Sequence, residues 1–253
     1  SGAININHAR IVAAIGTAIT YVFGVFLTYG NLMSFIFMNI AVIFGFIYNI
    51  ENKHSVMAPF YISISFASLL PFAYLMGHNP NLYLDAVIFS IAFITMFYQI
   101  SVSGNIKDIE VDQANMLKYM GTKLIANVIY FGNNVVIYAT ILRIAVFELI
   151  MIVFQIYIKH LIGYLNIIVI IIVAIMFMIT MFYHFKMFTH VRWERDAYLS
   201  YMSKIEIFNY FTFATIIIPF RGITDYIILL IFPIVWFVIF NKVMWNTSMY
   251  PKV

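Results

Sequence analysis

An all-α, polytopic membrane helical bundle of about eight transmembrane helices, forming a single integral membrane domain over residues 1–253, is the fold this sequence predicts. Three observations carry the prediction. Hydrophobic residues make up 64% of the chain and charged residues only 9%, and the mean hydropathy is +0.97. No soluble domain could enclose that much apolar surface in its own core. The apolar residues gather into runs long enough to cross a hydrocarbon layer of about 30 Å. The charged residues gather in the breaks between those runs, most of them on one side of the resulting layout.

The runs fall at about 11–29, 32–50, 57–76, 82–103, 134–158, 161–185, 205–220 and 224–242. Tyr29-Gly30-Asn31 separates the first two, Glu51–His54 the next pair, and Gly77–Asn81 the third from the fourth. The long polar stretch Asn105–Lys123 follows the fourth, and residues 119–133 read as an interfacial helix leading into the fifth. Lys159-His160, the charged segment His184–Lys204 and Arg221-Gly222 supply the remaining breaks. With the N-terminus inside, Arg10, Lys53, Lys107, Lys118, Lys123, Lys186, Arg192, Arg195, Lys204, Lys242 and Lys252 all lie on the cytoplasmic side. Lys159 and Arg221 fall outside, and Arg143 falls within a run. This positive-inside bias predicts both termini in the cytoplasm, with the two largest polar loops, 104–123 and 184–204, emerging on the same side to cap one cavity.

Composition also excludes function classes. Without cysteine there is no disulfide, thiolate metal site or cysteine nucleophile. The net charge of +4 reads as loop anchoring, because Lys and Arg form no groove-sized patch for nucleic acid. No P-loop, dinucleotide fingerprint or nucleophile elbow is present.

The most informative local feature is Asn105–Asp112, where Asp108, Glu110 and Asp112 put three acids into five positions of a chain that has ten. On a helix, Asn105, Asp108 and Asp112 share one face. Oxygen ligands at that spacing suit Mg²⁺, which takes one or two carboxylates and completes its shell with water and phosphate oxygens. Such a metal would neutralise charge on a diphosphate leaving group, with Lys107, Lys118 and Lys123 adding positive charge nearby. Spacing alone leaves a second reading open, a solvated loop in which three acids and three lysines balance.

The segment 184–206 also has two readings. As a lid it would offer Arg192 or Arg195 to an anionic substrate. As an interfacial segment it would use Trp193, Tyr198 and Tyr201 as headgroup anchors, and this fits most of its residues better. His184 and His190 are too far apart for a zinc pair on one helix. Arg143 and Glu148, inside the fifth run, would line a polar cavity or meet a neighbouring subunit, with structure or assembly favoured over catalysis.

The pattern Asn105-x-x-Asp108-x-x-x-Asp112 resembles the second aspartate-rich motif of the UbiA-type intramembrane prenyltransferases, Asp-x-x-Asp-x-x-x-Asp. Gly121-Thr122-Lys123-Leu124 resembles the Gly-x-Lys-Thr-Leu that follows it. Tyr48-Asn49 and Leu70-Pro71-Phe72-Ala73-Tyr74 are similar to the family's middle section, and Trp193–Phe211 to its charged loop and final helix. Two departures stand out. Asn105 replaces the first aspartate, and the family's first motif, Asn-Asp-x-x-Asp-x-x-x-Asp, occurs nowhere. Aligning Tyr48 with the family makes the first run its third helix, so that two helices and half the site would be absent from this chain. A rival alignment takes Asn49–His54 as a degraded first motif.

The resemblance implies a helical bundle around a lateral, lipid-facing cavity with a polar cytoplasmic mouth. It implies Mg²⁺-dependent transfer of an isoprenyl group from an isoprenyl diphosphate to an aromatic or lipid acceptor. Asp108 and Asp112 would be catalytic and would hold the metal with Asn105, and Lys107, Lys118, Lys123, Arg192 and Arg195 would bind the diphosphate. The implied partner is the lipid bilayer; the missing motif is left to three readings, a second chain that carries it, a segment outside these residues, or loss in evolution. A non-catalytic subunit of a membrane complex, keeping the fold with half a site, is the alternative.

Overall fold

The computed structural model of the chain describes residues 6–51, 54–75, 82–112, 114–158 and 164–216, together with 227, 228, 231, 235, 238 and 239. The chain divides into two compact units, Ser1–Phe97 and Tyr98–Val253, and each is considered by itself.

The first unit holds α1 (Ile6–Leu27), α2 (Leu32–Glu51), α3 (Ala58–Leu75) and nearly all of α4 (Leu82–Tyr98). In helices this apolar, the few polar side chains are spent on backbone groups that would otherwise be left without partners. Asn31 serves two helix ends at once. Its Oδ1 accepts from Ser34 N at 3.0 Å, capping α2, and its Nδ2 donates to the Leu75 carbonyl at 2.6 Å, closing α3. Ser34 Oγ donates to Phe72 O, next to Pro71, and Ser65 Oγ donates to Ala41 O at 2.7 Å, so hydroxyls bind α2 to α3 along their length. On α4, Phe89, Phe93 and Phe97 recur every fourth residue and stack in turn, and Phe60 of α3 meets the last two edge-on.

The second unit opens with a π-helical segment, Gln99–Gly104, and a last α-turn, α5 (Asn105–Lys107). There follow α6 (Met116–Tyr119), β1 (Lys123–Ile125), β2 (Val128–Tyr130), α7 (Asn133–Ile158), α8 (Tyr164–Thr189) and α9 (Arg195–Ile216). Its core gathers residues from most of these pieces: Tyr98, Val102 and Ile106 from the helix end, Ile109 from the loop, Leu117 from α6, Ile129 from the hairpin, Val135 and Ala139 from α7, and Met187, Phe188, Trp193, Tyr198 and Met202 from the α8–α9 junction. α8 and α9 pack on one another, and Phe147 of α7 stacks on Phe177 of α8 with centroids 4.3 Å apart.

Three expectations are corrected. The interfacial helix expected over residues 119–133 does not form; between the end of α6 at Tyr119 and the start of α7 at Asn133 these residues are not helical. They form a two-stranded antiparallel hairpin in register Lys123↔Tyr130, with Ala126 and Asn127 both at positive φ, as a two-residue type I′ turn requires. The run Leu-Ile-Ala-Asn-Val-Ile-Tyr is β-branched on both sides of an Asn turn, which outweighs its apolarity as a helix signal. The hairpin also bonds to the α8–α9 loop, with Ile129 N donating to Val191 O and Trp193 N to Asn127 O. Second, Trp193 and Tyr198 are buried core residues rather than headgroup anchors.

Third, four helices, not eight, are long and apolar enough to cross a membrane among the described residues: Leu32–Glu51, Ala86–Lys107, Asn133–Val153 and Ile167–Thr189. The first and third runs give the shorter apolar helices Ile11–Leu27 and Ala58–Phe72. The seventh belongs to α9, which begins in the charged segment at Arg195 and is polar over its first turns. The eighth, 224–242, lies largely outside the described residues.

Two glycines fix the loop before α7. Gly121 has φ +92, open to glycine at little cost, and a Cβ on Gly132 would run into the Met120 carbonyl oxygen, which is backbone and cannot turn aside. Gly132→Ala is expected to destabilise the chain by about 2 kcal/mol. Gly16→Ala, on an α1 surface with open space around it, is expected to leave the midpoint of thermal unfolding unchanged or slightly raised. Thermal unfolding followed by circular dichroism compares the two.

Candidate functional site

The candidate site is built on a helix end that lacks ordinary α-helical pairing. Through Gln99–Gly104 the backbone is π-helical, a geometry often found at functional positions. Asn105 repairs its end. Its Nδ2 donates to Ile100 O at 3.1 Å and Ser101 O at 3.0 Å, and its Oδ1 accepts from Met116 N at 3.3 Å. Asn115 reaches back, donating to the Asn105 carbonyl at 2.7 Å, while its Oδ1 caps α6 by accepting from Leu117 N and Lys118 N. Two carboxamides thus tie the loop 108–115 shut at both ends.

The loop begins as one more helical turn. α5 ends at Lys107, but Asp108 O accepts from both Val111 N and Asp112 N, so Asp108 and Asp112 stay one turn apart. Asp108 is about a third exposed and lies between two cations. Lys107 Nζ is 3.6 Å from its Oδ2, and Arg195 Nη2, at the start of α9, is 3.7 Å from its Oδ1. Asp108 and Arg195 thus bring loops 104–123 and 184–204 into contact. At these distances and exposures the pairs are loose, each worth at most ~1 kcal/mol. Burial pushes the Asp108 carboxyl above its ordinary value. Lys107 opposes the rise, the Asp112 charge adds to it, and Arg195 opposes it.

The other predicted residues are scattered around this centre. Asp112 and Glu110 are exposed. Lys118 Nζ donates to the Asp112 backbone carbonyl at 2.9 Å. Lys123 begins β1, and Arg192, on the hairpin edge beside Val128, pairs with Glu194 at 3.2 Å. Asn105 is buried with its carboxamide engaged on backbone groups. Among the described residues no three His, Cys, Asp or Glu side chains come together as a metal site. Asp108 and Asp112, hard oxygen donors held one turn apart and within electrostatic reach of each other, fit a two-carboxylate Mg²⁺ site that would be completed by substrate and water oxygens.

A polar group behind this face lies outside the sequence expectations. His184, considered there only as a zinc ligand, is fully buried. Its Nδ1 shares a hydrogen bond with Tyr98 OH at 2.8 Å and its Nε2 with Thr140 Oγ1 at 3.1 Å. The Arg143 guanidinium lies 3.6 Å from the centroid of the Tyr98 ring, and Gln99 Nε2 donates to Glu206 Oε1 at 2.9 Å. Glu148 points away, exposed on α7, and forms no ion pair with Arg143. The usable sequence signals were Tyr98-Gln99 ending an apolar run and Asn115 standing directly before a short helical turn.

No protein-family model, curated protein or solved structure matches the chain.

Two stability outcomes follow from this geometry. Asn105→Asp, which restores the aspartate of the resembled motif, would turn an acceptor toward the Ile100 and Ser101 carbonyls. A loss of about 2–4 kcal/mol is expected, read as a lower midpoint of thermal unfolding. Asp108→Asn acts in the opposite direction. A carboxyl whose folded value is raised stabilises the fold below its unfolded value and loses that stabilisation as pH rises through the folded one. Asp108→Asn is therefore expected to match or exceed wild-type stability at pH 7 and to lose the advantage at pH 3, measured as unfolding midpoints across that range.

Proposed function

We propose that this chain is a UbiA-like prenyltransferase, moving an isoprenyl group from an isoprenyl diphosphate to an aromatic or lipid acceptor with the help of Mg²⁺. The observation that supports the reading is the joining of two separate loops at Asp108, where Lys107 and Arg195 flank a carboxylate one turn from Asp112. Four apolar helices able to span a membrane accompany this polar cluster. The reading extends to both termini in the cytoplasm, and to a first aspartate motif that lies outside residues 1–253, on this chain or on a partner.

Each residue has a part in it. Asp108 and Asp112 hold the metal, with Asn105 in a supporting place. Arg195 and Lys107 are nearest to where the diphosphate would lie, and Lys118, Lys123 and Arg192 add positive charge at its rim. Bound Mg²⁺ would offset the negative charge that builds on the departing diphosphate. Fixed cations at that place lower the cost of the leaving group, because they need no reorganisation as the carbon–oxygen bond breaks. The apolar helices shield the prenyl cation from water until the acceptor attacks it and gives up a proton.

A non-catalytic subunit is the second reading. The inward-facing Asn105 carboxamide favours it, because that side chain already serves the helix end. Transfer of a radiolabelled prenyl group in bilayer nanodiscs with and without Mg²⁺ separates the two. Wild type is expected to turn over only with the metal, and Asp112→Ala to fall at least a hundredfold. Equal rates for wild type and variant would remove the metal role from Asp112, and no turnover with any acceptor class would favour the subunit.

A further inference from the structure

The buried face of the second unit contains a cation with no counter-charge in contact among the described residues. Arg143 is 3% exposed, midway along α7 in the membrane-length segment Asn133–Val153. Arginine keeps its charge when buried, and an isolated charge inside a membrane segment is costly unless it is paired or hydrogen-bonded. The Tyr98 ring covers one face of the guanidinium. No carboxylate among the described residues lies within ion-pair distance. Glu206 is felt only through space, and its Oε1 accepts from Gln99. The Arg143 Nε–H has no acceptor among the described residues.

The same side chain lines a cavity of about 10 Å³ between α7, α8 and α9. That is close to the least space that holds one water molecule. Of the polar groups around it, Thr180 and Thr212 donate their hydroxyl protons to Met176 O and Phe208 O in their own helices. Arg143 and the carboxamide of Asn209 are the donors left to a guest. Much of the remaining wall is phenyl, from Phe147, Phe177 and Phe213, whose ring edges carry positive partial charge. A site with a cation, N–H donors, no acid in contact and room for one small guest favours an anion over a neutral molecule.

We propose that this cavity binds a small monovalent anion, with chloride the abundant case, against Arg143. A water molecule would satisfy the Nε–H but leave the charge uncompensated. A halide does both; it is larger than water, so the side chains that line the cavity must yield to admit it. The bound anion then fixes the packing of α7 against α8 and α9, and stabilises the folded chain in proportion to its occupancy. The proposal stands apart from prenyl transfer, since none of its residues belongs to the Asp108 cluster.

The test uses the full chain in detergent micelles, with sodium chloride, bromide or gluconate at equal ionic strength. Wild type is expected to unfold several degrees higher in chloride and bromide than in gluconate, with a saturable dependence on halide. Arg143→Gln is expected to lose the dependence, and Asp112→Ala to keep it. Should Arg143→Gln fail to fold, crystals of wild type grown in bromide decide the matter. An anomalous peak within hydrogen-bond distance of Arg143 Nε supports the site. Identical midpoints in chloride and gluconate, a halide effect that persists in Arg143→Gln, or a water without anomalous signal at Nε would each overturn it.

Discussion

The carboxamide of Asn105 is the interaction on which the candidate site depends. Where the π-helical segment passes into α5, two of its carbonyls, those of Ile100 and Ser101, are taken up by one side chain. The same side chain receives the Met116 amide, and Asn115 bonds back to its carbonyl. The position of Asp108 follows from this closure, because the loop that carries it is held at both ends. So does its contact with Arg195, since the core residues Ile106, Ile109 and Leu117 beneath the loop pack with Tyr198 and Met202 from the start of α9. An aspartate at 105 would supply charge for a metal but could not donate to the carbonyls, so the residue type reflects a choice between closing the helix and ligating.

Polar groups inside the apolar helices follow the same rule in both units. Most engage a specific backbone or side-chain partner, because an unpaired donor in such surroundings costs far more than a hydrogen bond returns; the buried Thr95 hydroxyl of α4, which has no partner among the described residues, is an exception. Asn31 closes two helix ends, Ser34 and Ser65 join α2 to α3, and His184 uses both ring nitrogens between α8 and its neighbours. Arg143 stands out against that background. Its charge is met by the ring and hydroxyl of Tyr98 and by a distant acid, and its Nε–H has no acceptor among the described residues.

The helical, membrane-compatible architecture was legible in the sequence, because sustained apolar runs of membrane length admit few other folds. The two charged loops were expected to cap one cavity, and what the structure shows of that expectation is Arg195 beside Asp108. The hairpin was not. Residues 119–133 were apolar enough to pass for a helix, and their period-two pattern is short beside the long runs around it. The burial of Trp193 and Tyr198 was hidden for a related reason: aromatic residues next to charges look alike at a lipid interface and in a core that a hairpin covers. Nor does any linear pattern announce the π-helical turn or the role of Asn105, whose partners lie four, five and eleven residues away and depend on a loop closing over it. The eight expected spans were read from apolar length. That measure overlooks the polar turns with which α9 begins.

The central claim is that Asp108 and Asp112 form a metal site that a diphosphate completes. Electron paramagnetic resonance of Mn²⁺, a stand-in for Mg²⁺ with the same preference for oxygen ligands, tests it without requiring the acceptor to be known. Titrating Mn²⁺ into the chain in nanodiscs with inorganic diphosphate is expected to deplete the free-ion signal for wild type, reversibly with Mg²⁺. The Asp108→Ala/Asp112→Ala double variant is expected to deplete it no more than empty nanodiscs with diphosphate do. Equal depletion by wild type and the double variant would contradict the claim.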